Sequence, residues 1–225
     1  MKITWLGQAG LLFESGGYEI MLDPYLSDIV GERMGRHRRE PVCEEFLKRQ
    51  PDAVICTHNH LDHTDPNTLG ILLAQEKLMQ VLAPDGAWQE IRKFGGQHNY
   101  ILFNRQTEVT LREGIRVKAI RAEHSAPYAI GVLIFAEGKT YYITGDTLYN
   151  NRIFPELPEN IDVVFLPVNG EGNNMNMADA ARFAEKTGAK TAVPVHWGML
   201  DDINPKEFKC SAGVVIPEIY REIKL

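Results

Sequence analysis

The chain has 225 residues, is 44% hydrophobic and carries a formal net charge of -6. That is enough material for one sizeable domain over residues 1–225, and the acidic balance argues against nucleic acid as a partner. No stretch has the apolar length of a signal peptide or a membrane span, and Cys43, Cys56 and Cys210 are odd in number and lack C-x-x-C spacing; a cytoplasmic location with no membrane partner is expected, with homo-oligomerisation left open.

Short β-type runs at 2–6, 11–14 and 18–22 are separated by glycine-bearing turns and predict an antiparallel meander. After Asp23-Pro24, residues 27–40 show no clear period and carry Arg33, Arg36, His37, Arg38 and Arg39. The pattern predicts a mobile surface loop, either simply solvated or offering cations to an anionic substrate. A helix is expected near 42–49. Ala53-Val54-Ile55-Cys56 then reads as a buried strand ending at Thr57, and Asp65-Pro66 supplies an N-cap and a first helical residue.

A strand over 81–83 is expected before a helix capped by Asp85 and running to about Phe94. Further strands are predicted at 108–111, 115–121, 130–136 and 140–144, with a hairpin at Glu137-Gly138-Lys139. A strand over 162–166 leads into a loop rich in glycine and asparagine at 169–176. The helix Met177–Thr187 closes at Gly188, and a strand over 189–194 runs into His196. A meander followed by strand, helix and strand occurs in both halves. The fold predicted is α/β, a four-layer αββα sandwich of two mixed β-sheets flanked by helices.

His58-Asn59-His60-Leu61-Asp62-His63 holds three of the chain's seven histidines in six residues. Imidazole and carboxylate groups are the ligands divalent metals use where a site stays open to water and substrate. A loop leaving a strand can turn His58 and His60 to one point, while the turn into the next helix brings Asp62 and His63 to a neighbouring one. A purely structural role would crowd these groups together with nothing to offset their desolvation. Two adjacent metal positions need further ligands, and His124, Asp146 and His196 each lie just past a β run. His37, in the charged segment, and His98, in a polar turn, are set aside as solvated.

The order H-x-H-x-D-H, a distant His, an Asp and a final His resembles the metallo-β-lactamase superfamily. The stretches Trp5-Leu6-Gly7-Gln8-Ala9-Gly10, Leu22-Asp23-Pro24-Tyr25, 169–175 and Pro194-Val195-His196 are similar to its L-ascorbate-6-phosphate lactonase branch. The resemblance implies that His58, His60 and His124 hold one metal, that Asp62, His63 and His196 hold a second, and that Asp146 bridges them. One main class of β-lactam-hydrolysing relatives has a cysteine at the bridging place, which disfavours antibiotic hydrolysis here. Many members of the lactonase branch have a histidine where this chain has Gln8, a departure that bears on a substrate-side contact.

Two divalent cations about 3.5–4 Å apart share a water and lower its pKa from 15.7 toward neutrality, which yields a bound hydroxide nucleophile. Asp62 is the expected catalytic residue, orienting that nucleophile or relaying its proton, and Asp23 is a candidate to orient a ligand. Zinc or manganese is expected, with iron able to compete at the harder position. The expected substrate is a small, anionic ester or lactone contacted by Asn173, Asn174, Trp197 and Arg36, with Tyr25 as a further apolar wall. One alternative is a phosphodiesterase or nuclease of the same fold, which needs a basic arm that is not seen. Another is a non-hydrolytic metal-binding or redox module, for which the resemblance leads one to look for an acidic residue in place of His60 and a flavin domain. Neither is present in the sequence.

Overall fold

The computed structural model describes all 225 residues. Six strands form the first sheet: β1 (Lys2–Gly7), β2 (Gly10–Ser15), β3 (Tyr18–Leu22), β4 (Ala53–Ile55), β5 (Gln80–Ala83) and β6 (Asn99–Leu102). Seven form the second: β7 (Glu108–Arg112), β8 (Ile115–Arg121), β9 (Ile130–Ala136), β10 (Lys139–Ile143), β11 (Val163–Pro167), β12 (Thr191–Val195) and β13 (Gly213–Val214). In each sheet an antiparallel meander passes into parallel strands, β3 to β6 in the first and β10 to β13 in the second. The helices are α1 (Ile29–Met34), α2 (Glu44–Leu47), α3 (Pro66–Leu73), α4 (Asp85–Ile91) and α5 (Met177–Thr187). None is long and apolar enough to cross a membrane.

The strand period of two sorts side chains between layers. Ala53 and Ile55 of β4 enter the core between the sheets, whereas Val54 turns outward to Leu69, Leu73, Ala87 and Ile91. In β10, Tyr141 and Ile143 face the same core while Tyr142 packs outward on α5. Phe13 and Phe165 meet edge to face across the inter-sheet core, with centroids 5.9 Å apart. Helix α5 buries Ala180, Phe183, Ala184 and Thr187, the spacing of one helical face, and covers the outer side of the second sheet. Together these contacts make the αββα sandwich that the sequence predicts.

Local signals set the helix ends. The Asp65 carboxylate accepts from the N–H groups of Asn67 and Thr68 with Pro66 at the first helical position, and Gly188 closes α5 at φ 67°. Glu137 and Gly138, at φ 52° and 70°, form the two-residue turn between β9 and β10. The structure departs from expectation at several other points. Asp85 is the first residue of α4 rather than its cap, and its N–H is taken by Asn104 Oδ1 at 3.0 Å. The helix expected over 42–49 contracts to the four residues of α2, and β6 had no sequence signal because this edge strand is exposed or half-buried along its whole length.

The segment 27–40 is not a free loop. It contains α1, ended by Gly35 at φ 73°, and Arg36, His37, Arg38 and Arg39 all have partners. Arg38 donates to the carbonyls of Tyr25 (2.7 Å) and Ser27 (3.2 Å) and to the Tyr220 hydroxyl (2.8 Å). Asp28 accepts from Arg38 N at 2.9 Å and pairs with His37 Nδ1 at 2.6 Å. A composition pattern counts charges in the segment but not the acceptors that distant segments bring to them. His98 also departs from its expected solvation, being buried with Nδ1 accepting from Met79 N and Nε2 facing the Leu73 carbonyl.

Candidate metal centre

The histidine cluster follows β4, His124 follows β8, Asp146 follows β10 and His196 follows β12, so the carboxyl ends of strands from both sheets converge on one place. Gly145 makes the approach to Asp146 feasible. It sits at φ 60°, and a Cβ there would lie 2.6 Å from the Ile130 carbonyl. Ligand-type atoms of His58, His60, His124 and Asp146 all lie within 4.8 Å of one another, as do those of Asp62, His63 and His196. Asp146 joins the groups: Oδ1 lies 3.2 Å from His63 Nε2, and Oδ2 lies 3.3 Å from His196 Nε2 and 3.8 Å from His124 Nε2.

The chemistry of these atoms fits cation binding. Ligands bonded at about 2.0–2.1 Å to a tetrahedral cation stand about 3.3 Å from each other. His60 Nδ1 and His124 Nε2 face at 3.2 Å, and His63 Nε2 and His196 Nε2 at 3.4 Å. His58 Nε2 is buried with no hydrogen-bond partner, and Asp146 Oδ1 makes none of acceptable geometry. Such orphaned buried atoms are costly unless a bound group satisfies them, and a cation would do so for both.

Residues behind the cluster fix which nitrogen keeps its lone pair. The fully buried Asp23 accepts from His63 Nδ1 at 2.8 Å and from the Thr57 hydroxyl at 2.6 Å. With its proton given to Asp23, the Thr57 oxygen is an acceptor for His58 Nδ1 at 3.1 Å. In the neutral rings both Nε2 atoms then keep their lone pairs toward the site. His124 Nδ1 faces the Asn173 carbonyl at 3.3 Å, which leaves its Nε2 free in the same way. The Asn169 amide nitrogen lies 3.1 Å from His196 Nδ1 while Asn169 Oδ1 is buried without a partner. Exchanging the two ends of that amide gives Oδ1 a donor and frees His196 Nε2.

Charge divides the two groups. Burial holds His58, His60 and His124 below the ordinary imidazole value, so they stay neutral. Burial also opposes protonation of His63 and His196, but Asp146 and neighbouring carboxylates override it, raising His63 well above its usual value and pushing His196 up to about 10. Without a cation, the second group therefore carries protons as counter-charge. A divalent ion entering there has to displace them. Metal loading at pH 7 is expected to release protons, with apparent affinity rising with pH toward the His196 value of about 10. Calorimetry in two buffers of different ionisation enthalpy checks this, and identical heats would contradict it.

The cluster floors a cavity of about 370 Å³ with an apolar side made by Val30, Met34, Leu61 and Leu200. Of the residues expected at a substrate, Asn174 lines this cavity and donates to Asp146 Oδ2 at 2.9 Å, and Arg36 lines it while paired with Glu171 at 2.8 Å. Asn173 is exposed and offers only its carbonyl to His124. Trp197 departs from expectation: its ring packs on Trp5 at 4.7 Å, its Nε1 donates to the Pro194 carbonyl, and it is not part of the cavity wall. Tyr25 is fully buried beneath the Arg38 guanidinium and does not line the cavity. Thr57 and Asn169 were not singled out from the sequence, although Thr57 ends the strand before the cluster and Asn169 opens the asparagine-rich loop.

Residues 18–197 match the family described as beta-lactamase superfamily domain. A UPF0173 protein of Pyrococcus furiosus is 30% identical over 216 residues, which cover 93% of this chain and 89% of the relative. A UPF0173 metal-dependent hydrolase of Thermoplasma acidophilum is 29% identical over 253 residues, covering 100% of this chain and 99% of the relative. The solved structure of a metallo hydrolase from the archaeon Ignicoccus hospitalis matches with a TM-score of 0.78 at 23% identity, over 98% of this chain and 96% of that one.

Proposed function

This chain belongs to the metallo-β-lactamase superfamily and is a metal-dependent hydrolase, and from that premise we propose that it cleaves a small anionic ester or lactone. His58, His60 and His124 would hold one divalent cation, Asp62, His63 and His196 a second, and Asp146 both. The observation carrying this reading is the Asp146 carboxylate, which reaches imidazoles of both groups on the floor of the cavity. When bound, such a pair supplies Lewis acidity and a water acidic enough to act near pH 7, with zinc or manganese favoured by the donor set and iron compatible.

The chain's own residues do the rest. Asp62 directs Oδ2 toward His196 and Gln8, which leaves Oδ1 to orient the attacking water and receive its proton. Asn174 holds Asp146 in place, and the apolar wall at Val30, Met34, Leu61 and Leu200 keeps bulk water from the reacting group. Arg36 stands at the cavity with an exposed partner, Glu171, that an anionic substrate group can replace. Cys43, Cys56 and Cys210 are free thiols, which suits the reducing, cytoplasmic setting proposed for this reaction.

The test is a panel of lactones, carboxylic esters, thioesters and phosphate mono- and diesters offered to metal-reconstituted protein. Preferred turnover of lactones or esters bearing an anionic group supports the reading, and a preference for phosphodiesters sinks it. Arg36→Ala is expected to raise KM for anionic esters roughly tenfold, about the worth of one charge-assisted hydrogen bond, and to leave neutral analogues unchanged. Equal effects on both would remove Arg36 from the binding site.

A further inference from the structure

Gln8 enters the reaction as described only as a partner of Asp62 Oδ2, yet its side chain lies inside the second group of ligand atoms. It is only 1% exposed, and its Nε2 donates to Asp62 Oδ2 at 2.8 Å. That oxygen is also the one nearest His196 Nε2, at 3.3 Å. The same amide nitrogen lies 3.1 Å from His196 Nε2 and 3.3 Å from Nδ1. An atom almost equidistant from both ring nitrogens cannot sit in the ring plane without striking the carbon between them. It lies over the face, and the in-plane direction of Nε2 stays clear of the amide.

The backbone around Gln8 is built to hold this placement. Gln8 adopts φ 50° and His196 φ 57°, left-handed conformations that non-glycine residues keep only where surrounding contacts impose them. The Gln8 carbonyl accepts from His196 N at 2.8 Å and from Trp5 Nε1 at 3.0 Å, so the β1–β2 turn and the end of β12 are locked to each other. Side chain and main chain of one residue therefore both grip the same histidine.

We propose that Gln8 is the positioning residue of the second cation position: its amide N–H fixes the Asp62 carboxylate and its amide plane braces the His196 ring. The inference rests on the two-position reading above. It assigns the work to the donor end of the amide, although Oε1 is itself buried and without a partner. Histidine, with a ring N–H of similar reach, can replace that donor. Glutamate cannot, because it turns an acceptor toward Asp62.

Cobalt(II) titration followed by visible absorption tests this without recourse to turnover. The wild-type chain is expected to take up a pair of ions. Gln8→Ala should fill the first position with unchanged affinity, which also reports that the variant is folded, and bind the second ion about 10–100-fold more weakly, the usual cost of losing a group that orients a ligand. Gln8→His should regain most of that loss and Gln8→Glu should not. Unchanged second-ion affinity in Gln8→Ala overturns the inference. So does wild-type or tighter affinity in Gln8→Glu, which would make Oε1 a ligand in its own right. Uptake of a single ion by the wild-type chain removes the two-position reading itself, and the inference with it.

Discussion

Asp146→Asn is expected to lower turnover by about 10²–10³-fold, the scale set by removing one preorganised electrostatic group, and, on the proposed two-cation reading, to reduce metal content from a pair of ions to a single one. An asparagine fits the space but offers one neutral acceptor where the carboxylate offers two charged ones. The oxygen facing His63 and the oxygen facing His196 and His124 cannot both be replaced by an amide. Asn174 sharpens the effect, because its Nδ2 donates to Asp146 Oδ2 and would face an amide NH2 in one of the two orientations. The retained oxygen should then turn toward one group of imidazoles. Elemental analysis of metal content alongside kcat checks the expectation, and full content with wild-type rates would count against a shared carboxylate.

Asp146 also illustrates what a linear sequence discloses. It stands after a strand and a glycine, and that position is readable because the chemistry is carried by the residue itself. The same holds for His58, His60, His63, His124 and His196. Asp23 was legible as a candidate to orient a ligand, but which ligand it serves was not, and Thr57 was not legible at all. Their hydrogen bonds cross 34 positions and exist because β3 and β4 pair in parallel with Leu22 beside Ile55, which brings the next residues of both strands together. A pattern confined to one stretch gives the strands but not their register. Arg38 and His98 failed as readings for the related reason that burial and partners are supplied by Tyr220, Met79 and Leu73 from elsewhere. Trp197 failed through direction: it adjoins His196, but successive residues past a strand end need not face the same way, and its ring turns back onto Trp5.

The second large effect is expected at Asp23, where two substitutions separate fold from site. Its carboxylate, fully buried, accepts from Thr57 N at 2.7 Å, Thr57 Oγ1 at 2.6 Å and His63 Nδ1 at 2.8 Å. Asp23→Ala strips all three donors of their acceptor at a position with φ 44°, which disfavours alanine, and a loss of about 3–5 kcal/mol is the scale for breaking such a buried charged network. Asp23→Asn keeps the shape, and asparagine tolerates the left-handed backbone. Its single oxygen can still accept from Thr57 N, but its NH2 then takes the place of the oxygen shared by the Thr57 hydroxyl and His63 Nδ1 and meets both as a donor, so the ring proton moves to Nε2, the atom aimed at the cation position. The stability cost of Asp23→Asn should be only about 1–2 kcal/mol, that of a weakened hydrogen-bond set, whereas second-ion affinity should fall at least as far as the roughly 10–100-fold typical of a lost ligand-orienting partner. Urea unfolding of the metal-free proteins and metal titration of the folded ones measure the two quantities separately. If Asp23→Asn keeps wild-type affinity for both ions, the His63 tautomer is not governed by Asp23, and the carboxylate serves only to tie β3 to the end of β4.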